Sequence, residues 1–251
     1  MIIDQPNAGD IPGLRRLWRQ AFGDSEEFLD LFFSAAFAPE RCRMIREGGD
    51  AAAALYWFDC GLAGKKVAYI YAVATAESHR GRGLCRALME HLHESLTHQG
   101  YAGAILVPGE PELFRFYERL GYATCASVGE LACAAGETAT ALEPVDPGAY
   151  AALRRQLLPP EGLIQEGENL RFLEVLGDFY AGPKLVLWVT RDEQDSVIGE
   201  LLGDVSQAPG VVKTLGAARG VFRIPGGTRA FAMYRSFDGG KGPAYLGFAF
   251  D

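Results

Sequence analysis

The sequence predicts a mixed α/β protein in two domains, on three observations. Its 251 residues exceed the usual size of one domain and suit two ordinary ones. Residues 10–35 carry apolar side chains at helical spacing, residues 41–75 carry them in extended runs, and helical spacing returns over 84–98. A stretch rich in Ala, Gly, Thr and Pro, 134–147, then separates a first domain over 1–135 from a second over 136–251.

Each element of the first half has its own signal. Asp10 caps a first helix, Pro12 suits its first turn, and Leu14, Leu17, Trp18 and Phe22 form its apolar face before Gly23 stops it. A second helix opens at Asp24, Ser25, Glu26 and Glu27, a capping-box pattern, and Pro39 ends it. Residues 41–46 and 51–59 read as strands joined by a Gly48–Gly49–Asp50 turn, and 66–75 as a third strand. The next helix places Leu84, Cys85, Leu88, Met89, Leu92 and Leu96 on one face, with Arg86, Glu90, His93 and Glu94 elsewhere. A buried strand over 101–107 stops at Pro108. A helix over 111–120 ends at Gly121, and 123–133 reads as a further strand.

The second half carries weaker signals. Helices are expected over 150–158 and 168–180, with a short one over 211–218. Strands are expected over 185–190, 196–202, 221–224, 230–235 and 244–250. Two helices followed by β-β-α-β-β-β form a blurred echo of the first half, without a sequence repeat.

Composition narrows the function. A hydrophobic fraction of 49% excludes bulk disorder. The net charge of −8, spread over both halves, argues against nucleic acid or an anionic membrane as partner and favours a cationic or neutral one. Five cysteines without a C-x-x-C pair argue against a disulfide framework or zinc ribbon and for a reducing, cytoplasmic compartment. The N-terminus lacks the basic and apolar regions of a signal peptide, and no apolar run approaches the length of a membrane span.

Chemistry concentrates in residues 69–89, where a strand runs into an Arg/Gly-rich turn that opens a helix. The first-turn amides, residues 82–85, have no helical partners and lie at the positive end of the helix dipole. Gly81 and Gly83 let an anion approach the backbone, and Arg80 and Arg82 add positive charge, so the turn is built for a diphosphate. It is not a P-loop, since no G-x-x-x-x-G-K-[ST] string occurs. It is not a dinucleotide fingerprint either, since Arg86 stands where the third glycine belongs.

The string Arg80-x-x-Gly83-x-Cys85 resembles the Q/R-x-x-G-x-G/A signature of the GCN5-related N-acetyltransferases (GNAT), with Cys in the last small-residue slot. The likeness runs over 1–130 and is closest to the enhanced-intracellular-survival-type branch, in which YAVAT (71–75), RGRG (80–83), an LVP strand end (106–108) and an LF-x-FY helix (113–117) occur together. The resemblance implies a GNAT fold with a second, degenerate GNAT-like domain over 136–251. That domain lacks the signature and is expected to bind no coenzyme.

It also implies an acyltransferase using acetyl-CoA as co-substrate and no metal. Val73, Ala74 and Thr75 would bind the pantetheine arm as a false strand, and Arg80, Gly81, Arg82, Gly83, Leu84 and Cys85 the pyrophosphate. Pro108 would splay the neighbouring strand to admit the thioester. Tyr117 stands at the family's position for the acid that protonates the departing thiolate, and a phenol's pKa lies near a thiol's.

The acceptor is expected to be an amine, with its identity and the oligomeric state open. No His or Glu is uniquely placed as the base. The terminal carboxylate or side chain of Asp251 is a minor candidate, set against an edge strand over 244–250 with Asp251 in water. His91, His93 and His98 read as a solvated face rather than a metal site, and Cys85 as a spacer rather than a reactive thiol. Trp18, Trp57, Tyr56, Phe28, Phe32 and Phe33 read as core, with walls of an acceptor pocket as the alternative. The rival functions are a non-catalytic acyl-CoA-binding scaffold and another acyl or aminoacyl transferase.

Overall fold

The computed structural model describes residues 2–250 and divides the chain into two compact units. The first unit comprises residues 1–124 and 233–242. It contains β1 (Ile3–Asp4), α1 (Ile11–Phe22), α2 (Glu26–Ala35), β2 (Cys42–Glu47), β3 (Asp50–Leu62), β4 (Lys65–Thr75), α3 (Leu84–His98), β5 (Gly103–Leu106) and α4 (Pro111–Glu118). The second comprises residues 125–232 and 243–251. It takes most of β6 (Ala123–Ala134), then β7 (Glu143–Pro144), α5 (Pro147–Leu157), β8 (Ile164–Gln165), α6 (Glu168–Leu176), β9 (Asp178–Gly182), β10 (Leu185–Arg191), β11 (Val197–Gly203), α7 (Ala208–Thr214) and β12 (Arg219–Pro225). The last strand, β13 (Arg229–Ser236), begins in the second unit and finishes in the first.

The first unit's strands lie in the order β1-β2-β3-β4-β5-β13. β2, β3 and β4 are antiparallel, β4 and β5 are parallel with α3 between them in the chain, and residues 233–236 of β13 pair antiparallel with β5. The second unit's order, β7-β9-β10-β11-β12-β6, has the same logic. β9, β10 and β11 are antiparallel, β11 and β12 are parallel with α7 between them, and β6 pairs antiparallel with β12. In each unit the sixth strand comes from the other half of the sequence. The division therefore differs from the one expected at 135/136. The chain passes from the first unit to the second inside β6, and residues 233–242 return to the first.

Side-chain alternation on β3 and β4 puts the first unit's helices on opposite faces of its sheet. Leu55, Trp57, Ala68 and Ile70 pack with Leu84, Leu88, Met89, Leu92 and Leu96 of α3. Tyr56 and Tyr71 face Trp18 of α1, which also meets Phe32 of α2 at a ring separation of 4.5 Å. Trp18, Phe32, Tyr56 and Trp57 are all buried, as core residues. Each fully buried large apolar side chain contributes about 1.5–3 kcal/mol, so these faces rather than helix propensity fix the arrangement. The second unit's core joins Leu185, Leu187 and Val189 of β10, Val197 and Leu201 of β11, Val211 and Val212 of α7 and Phe222 of β12.

Two second-unit expectations fail. The helix expected over 168–180 ends at Leu176, where Gly177 takes an extended conformation and the chain enters β9. Residues 244–250 form no strand among the described residues, only a single bridge from Tyr245 to Gly162, although 245–249 are buried. Two backbone bonds, from the Leu163 N–H to the Tyr245 carbonyl at 2.8 Å and from the Ala244 N–H to the Glu161 carbonyl at 2.9 Å, hold their start, and side chains hold the rest. Gln165 accepts from the Phe248 N–H at 3.2 Å and donates to its carbonyl at 2.7 Å, while Arg223 donates to the Gly247 carbonyl at 3.1 Å. Asp251 lies outside the described residues, and so does the terminal carboxylate considered as a base.

Candidate active site

The site begins where β4 outruns its neighbour. Pairing of β4 with β5 covers Val67, Ala68 and Tyr69 and stops, because β5 ends at Leu106, just before Pro108. From Ile70 to Thr75 the edge of β4 facing away from β3 has no β5 partner. Over the same stretch the opposite edge carries a bulge. Between the pairs Ala54–Ala74 and Tyr56–Tyr71, three steps on β4 face two on β3, and Ala72 takes a left-handed φ of +49°. The extra residue shifts the alternation, so Val73 packs with the same cluster as Ala68 and Ile70. The sequence reading assigned residues 73–75 to ligand contact but missed the bulge at Ala72 that re-aims them. An alanine carries no signal for it.

Thr75 ends this open edge. Its hydroxyl is buried and has no hydrogen-bond partner among the described residues, an arrangement that costs free energy unless a ligand or water supplies one. Arg80 donates from Nε to the Thr75 carbonyl at 3.3 Å, tying the loop back to the strand.

The loop itself presents bare backbone. Gly81 and Gly83 have φ of +75° and +78°, and a Cβ built on either meets nothing within 4 Å, so these glycines serve the left-handed turn and leave its outer surface open. Gly83 is the N-cap of α3 and supplies no capping side chain. The first helical bond runs from the Ala87 N–H to the Gly83 carbonyl at 3.0 Å. Among the described residues, the N–H groups from Gly81 to Arg86 have no acceptor. Such a row at a helix N-terminus binds anions. Leu84 is buried and pins the turn, while Arg80, Gly81, Arg82 and Gly83 are exposed. The Arg82 guanidinium makes a two-pronged contact with Glu47, a residue the sequence reading did not single out, with nitrogen–oxygen distances of 2.7 and 2.8 Å.

Tyr117 is buried on α4, its ring 5.1 Å from Phe116 and 5.8 Å from Tyr122. Its hydroxyl has no hydrogen bond to a described residue. Burial drives its pKa well above that of free tyrosine, and the nearby Cys85 thiol pushes the same way. The fold thus brings Tyr117 beside Cys85 in the first turn of α3, a proximity no sequence pattern contains. Burial also raises Cys85 to about 11, so it is a protonated spacer rather than an activated thiol at a helix start.

His93 corrects the expectation of a solvated face. It is 3% exposed, sits between Tyr122 and Arg235, and is held neutral with a pKa of about 3, chiefly by burial and then by the Arg235 charge. Among the described residues no three His, Cys, Asp or Glu side chains gather as metal ligands, and no helix is long and apolar enough to cross a membrane.

Comparison with known proteins agrees with this geometry. The family described as acetyltransferase (GNAT) domain matches residues 3–125. Solved structures with the same fold include a GCN5-related N-acetyltransferase from Anabaena variabilis ATCC 29413, at TM-score 0.74 and 17% identity over 94% of this chain and 72% of that one. Another, from Kribbella flavida, aligns at TM-score 0.71 and 16% identity over 94% and 71%. Eis1 from Mycobacterium abscessus aligns at 0.65 and 13% over 95% and 74%. No curated protein matches the sequence significantly. The open edge of β4, the uncapped Arg/Gly turn and the family match agree: residues 3–125 form an acetyltransferase (GNAT) domain, and the chain shares the fold of the solved GCN5-related N-acetyltransferases.

Proposed function

We propose that the chain transfers an acetyl group from acetyl-CoA to a primary amine by direct attack. One observation carries this reading: the unpartnered edge of β4 is followed, after one short turn over 77–79, by a row of free amides at the start of α3, with a buried tyrosine beside Cys85. An extended arm can pair with that edge at Val73, Ala74 and Thr75, with the Thr75 hydroxyl gaining a partner. A pyrophosphate suits the amides from Gly81 to Cys85 and the charges of Arg80 and Arg82.

When bound, the coenzyme supplies an activated acyl thioester. The amine nitrogen bonds to the acyl carbon as the carbon–sulfur bond breaks. Tyr117 donates its proton to the leaving sulfur, and the proton shed by the nitrogen restores the phenol. Matching of ordinary pKa values, the reason the sequence offers for Tyr117, no longer applies once the phenol is buried. Burial raises the neighbouring Cys85 thiol as well, to about 11, which supports a leaving sulfur in the same surroundings rising with the phenol.

Residues 136–251 are read as a degenerate relative of the first domain, from the shared strand order and the missing signature. The acidic balance and five free cysteines support a cationic acceptor and a reducing, cytoplasmic setting. The test is release of free CoA thiol from acetyl-CoA with polyamines, aminoglycosides, amino acids and peptides as acceptors. Turnover with an amine supports the reading. Tight coenzyme binding without turnover on any of them favours a scaffold.

A further inference from the structure

Arg82, one of the two arginines beside the amide row, is already engaged. Its Nη1 and Nη2 atoms lie 2.7 and 2.8 Å from the two carboxylate oxygens of Glu47, the last residue of β2. This is the fork-to-fork geometry with which a guanidinium also holds a phosphate. The same two guanidinium nitrogens cannot serve both partners in this geometry. A carboxylate thus sits where a diphosphate bound to the loop would bring its own negative charge.

The pair is half-exposed, with side-chain accessibility of 50% for Arg82 and 31% for Glu47, so breaking it is inexpensive. Glu47 also keeps a second neighbour if Arg82 leaves, since His79 Nε2 lies 3.3 Å from its Oε2 atom. The hydrogen bond from Arg82 lowers the pKa of Glu47, so this competing charge persists at neutral pH. Arg80 has no comparable tie: its closest carboxylate, Glu77, is 3.7 Å away.

Resting on the coenzyme-site reading above, we propose that Glu47 competes with the coenzyme's phosphates for Arg82. Glu47 holds the guanidinium in the empty site and hands it over on binding. The exchange sets coenzyme affinity: each binding event breaks one ion pair to form another and leaves a carboxylate beside the incoming anion. Its function is release, since a site with both arginines free would hold CoA product more tightly.

Calorimetric titration of CoA into four proteins tests this: the parent, Glu47→Gln, Arg82→Gln and the double variant. Glu47→Gln is expected to tighten CoA binding by roughly three- to tenfold, through loss of an exposed ion pair and of a repelling charge. Arg82→Gln is expected to weaken binding, and Glu47→Gln to gain less than about twofold in that background. Unchanged or weaker binding by Glu47→Gln, with Arg82→Gln still impaired, overturns the competition and leaves the coenzyme site standing. An equal gain in both backgrounds also overturns it, because the carboxylate then repels the ligand without acting through Arg82. No effect of Arg82→Gln on CoA affinity overturns both the competition and the pyrophosphate assignment.

Discussion

His93 Nε2 stands 2.7 Å from the hydroxyl of Tyr122, and the other ring nitrogen, Nδ1, stands 2.9 Å from a guanidinium nitrogen of Arg235. Arginine can only donate, so Nδ1 accepts and the neutral ring carries its proton on Nε2, donating to Tyr122. Arg235 donates as well to the Leu120 carbonyl at 2.6 Å, in the turn that follows α4. Tyr122 packs edge-on against Tyr117. A polar column buried in the first unit thus stands behind the proposed acid, and its base comes from the far end of the sequence.

This column makes stability pH-dependent. The folded ring titrates near pH 3, while an unfolded histidine titrates near 6.5. Below 6.5 the unfolded chain binds the extra proton, so the contribution is complete above that pH and is lost as pH falls towards 3. Between pH 6.5 and 5 the parent should lose about 1–2 kcal/mol more stability than His93→Gln, which keeps both hydrogen-bonding roles without titrating. Urea unfolding of the two proteins across that range checks it. Parallel curves would mean that His93 protonates without cost in the folded chain.

Removing only the hydroxyl of Tyr117 should slow the reaction. Tyr117→Phe keeps the ring contacts with Phe116 and Tyr122, so kcat is expected to fall about 100-fold with little change in coenzyme Kd. Single-turnover rates with a saturating acceptor read the chemical step directly. A change within about twofold there returns Tyr117 to a purely packing role.

Gly83→Val should act on binding. Its left-handed φ of +78° strains a β-branched residue by roughly 1–2 kcal/mol, yet the new side chain meets open space rather than core. CoA Kd is expected to rise more than tenfold, while Tm falls only a few degrees. Fluorescence titration and a thermal melt separate the two effects. Retained CoA affinity would move the pyrophosphate elsewhere.

The second unit depends on a buried ion pair. Arg154 Nε and Nη2 lie 2.8 and 2.9 Å from the Glu200 carboxylate, both side chains are at most 4% exposed, and Tyr150 donates to the same carboxylate at 2.9 Å. Glu200→Gln leaves the guanidinium without a counter-charge and should destabilise the chain by about 3–5 kcal/mol. A Glu200→Leu, Arg154→Met double variant should recover much of that loss. Chemical unfolding of the three proteins gives the comparison, and a Glu200→Gln curve superposed on the parent's would show that water reaches the pair.

What the sequence determined by itself is local. Helical spacing along Leu84, Leu88, Leu92 and Leu96, the glycines at 81 and 83 and the arginines beside them specify a strand, an anion-binding turn and a helix. Every one of those signals lies within a few residues of the backbone it shapes. Pro108 likewise announces the end of β5. Tertiary structure decided whatever depends on contacts distant in the chain. It placed Tyr117 beside Cys85 and buried His93 under Arg235, and it engaged Arg82 with Glu47, 35 residues away. It also took β13 back to β5 and fastened residues 244–250 with Gln165 and Arg223 instead of a strand ladder. Periodicity reports which face of an element is apolar, but not which polar group from another element that face will meet. The pKa values and ion pairs of this site arise from those meetings, and so the sequence locates the site while the fold sets its chemistry.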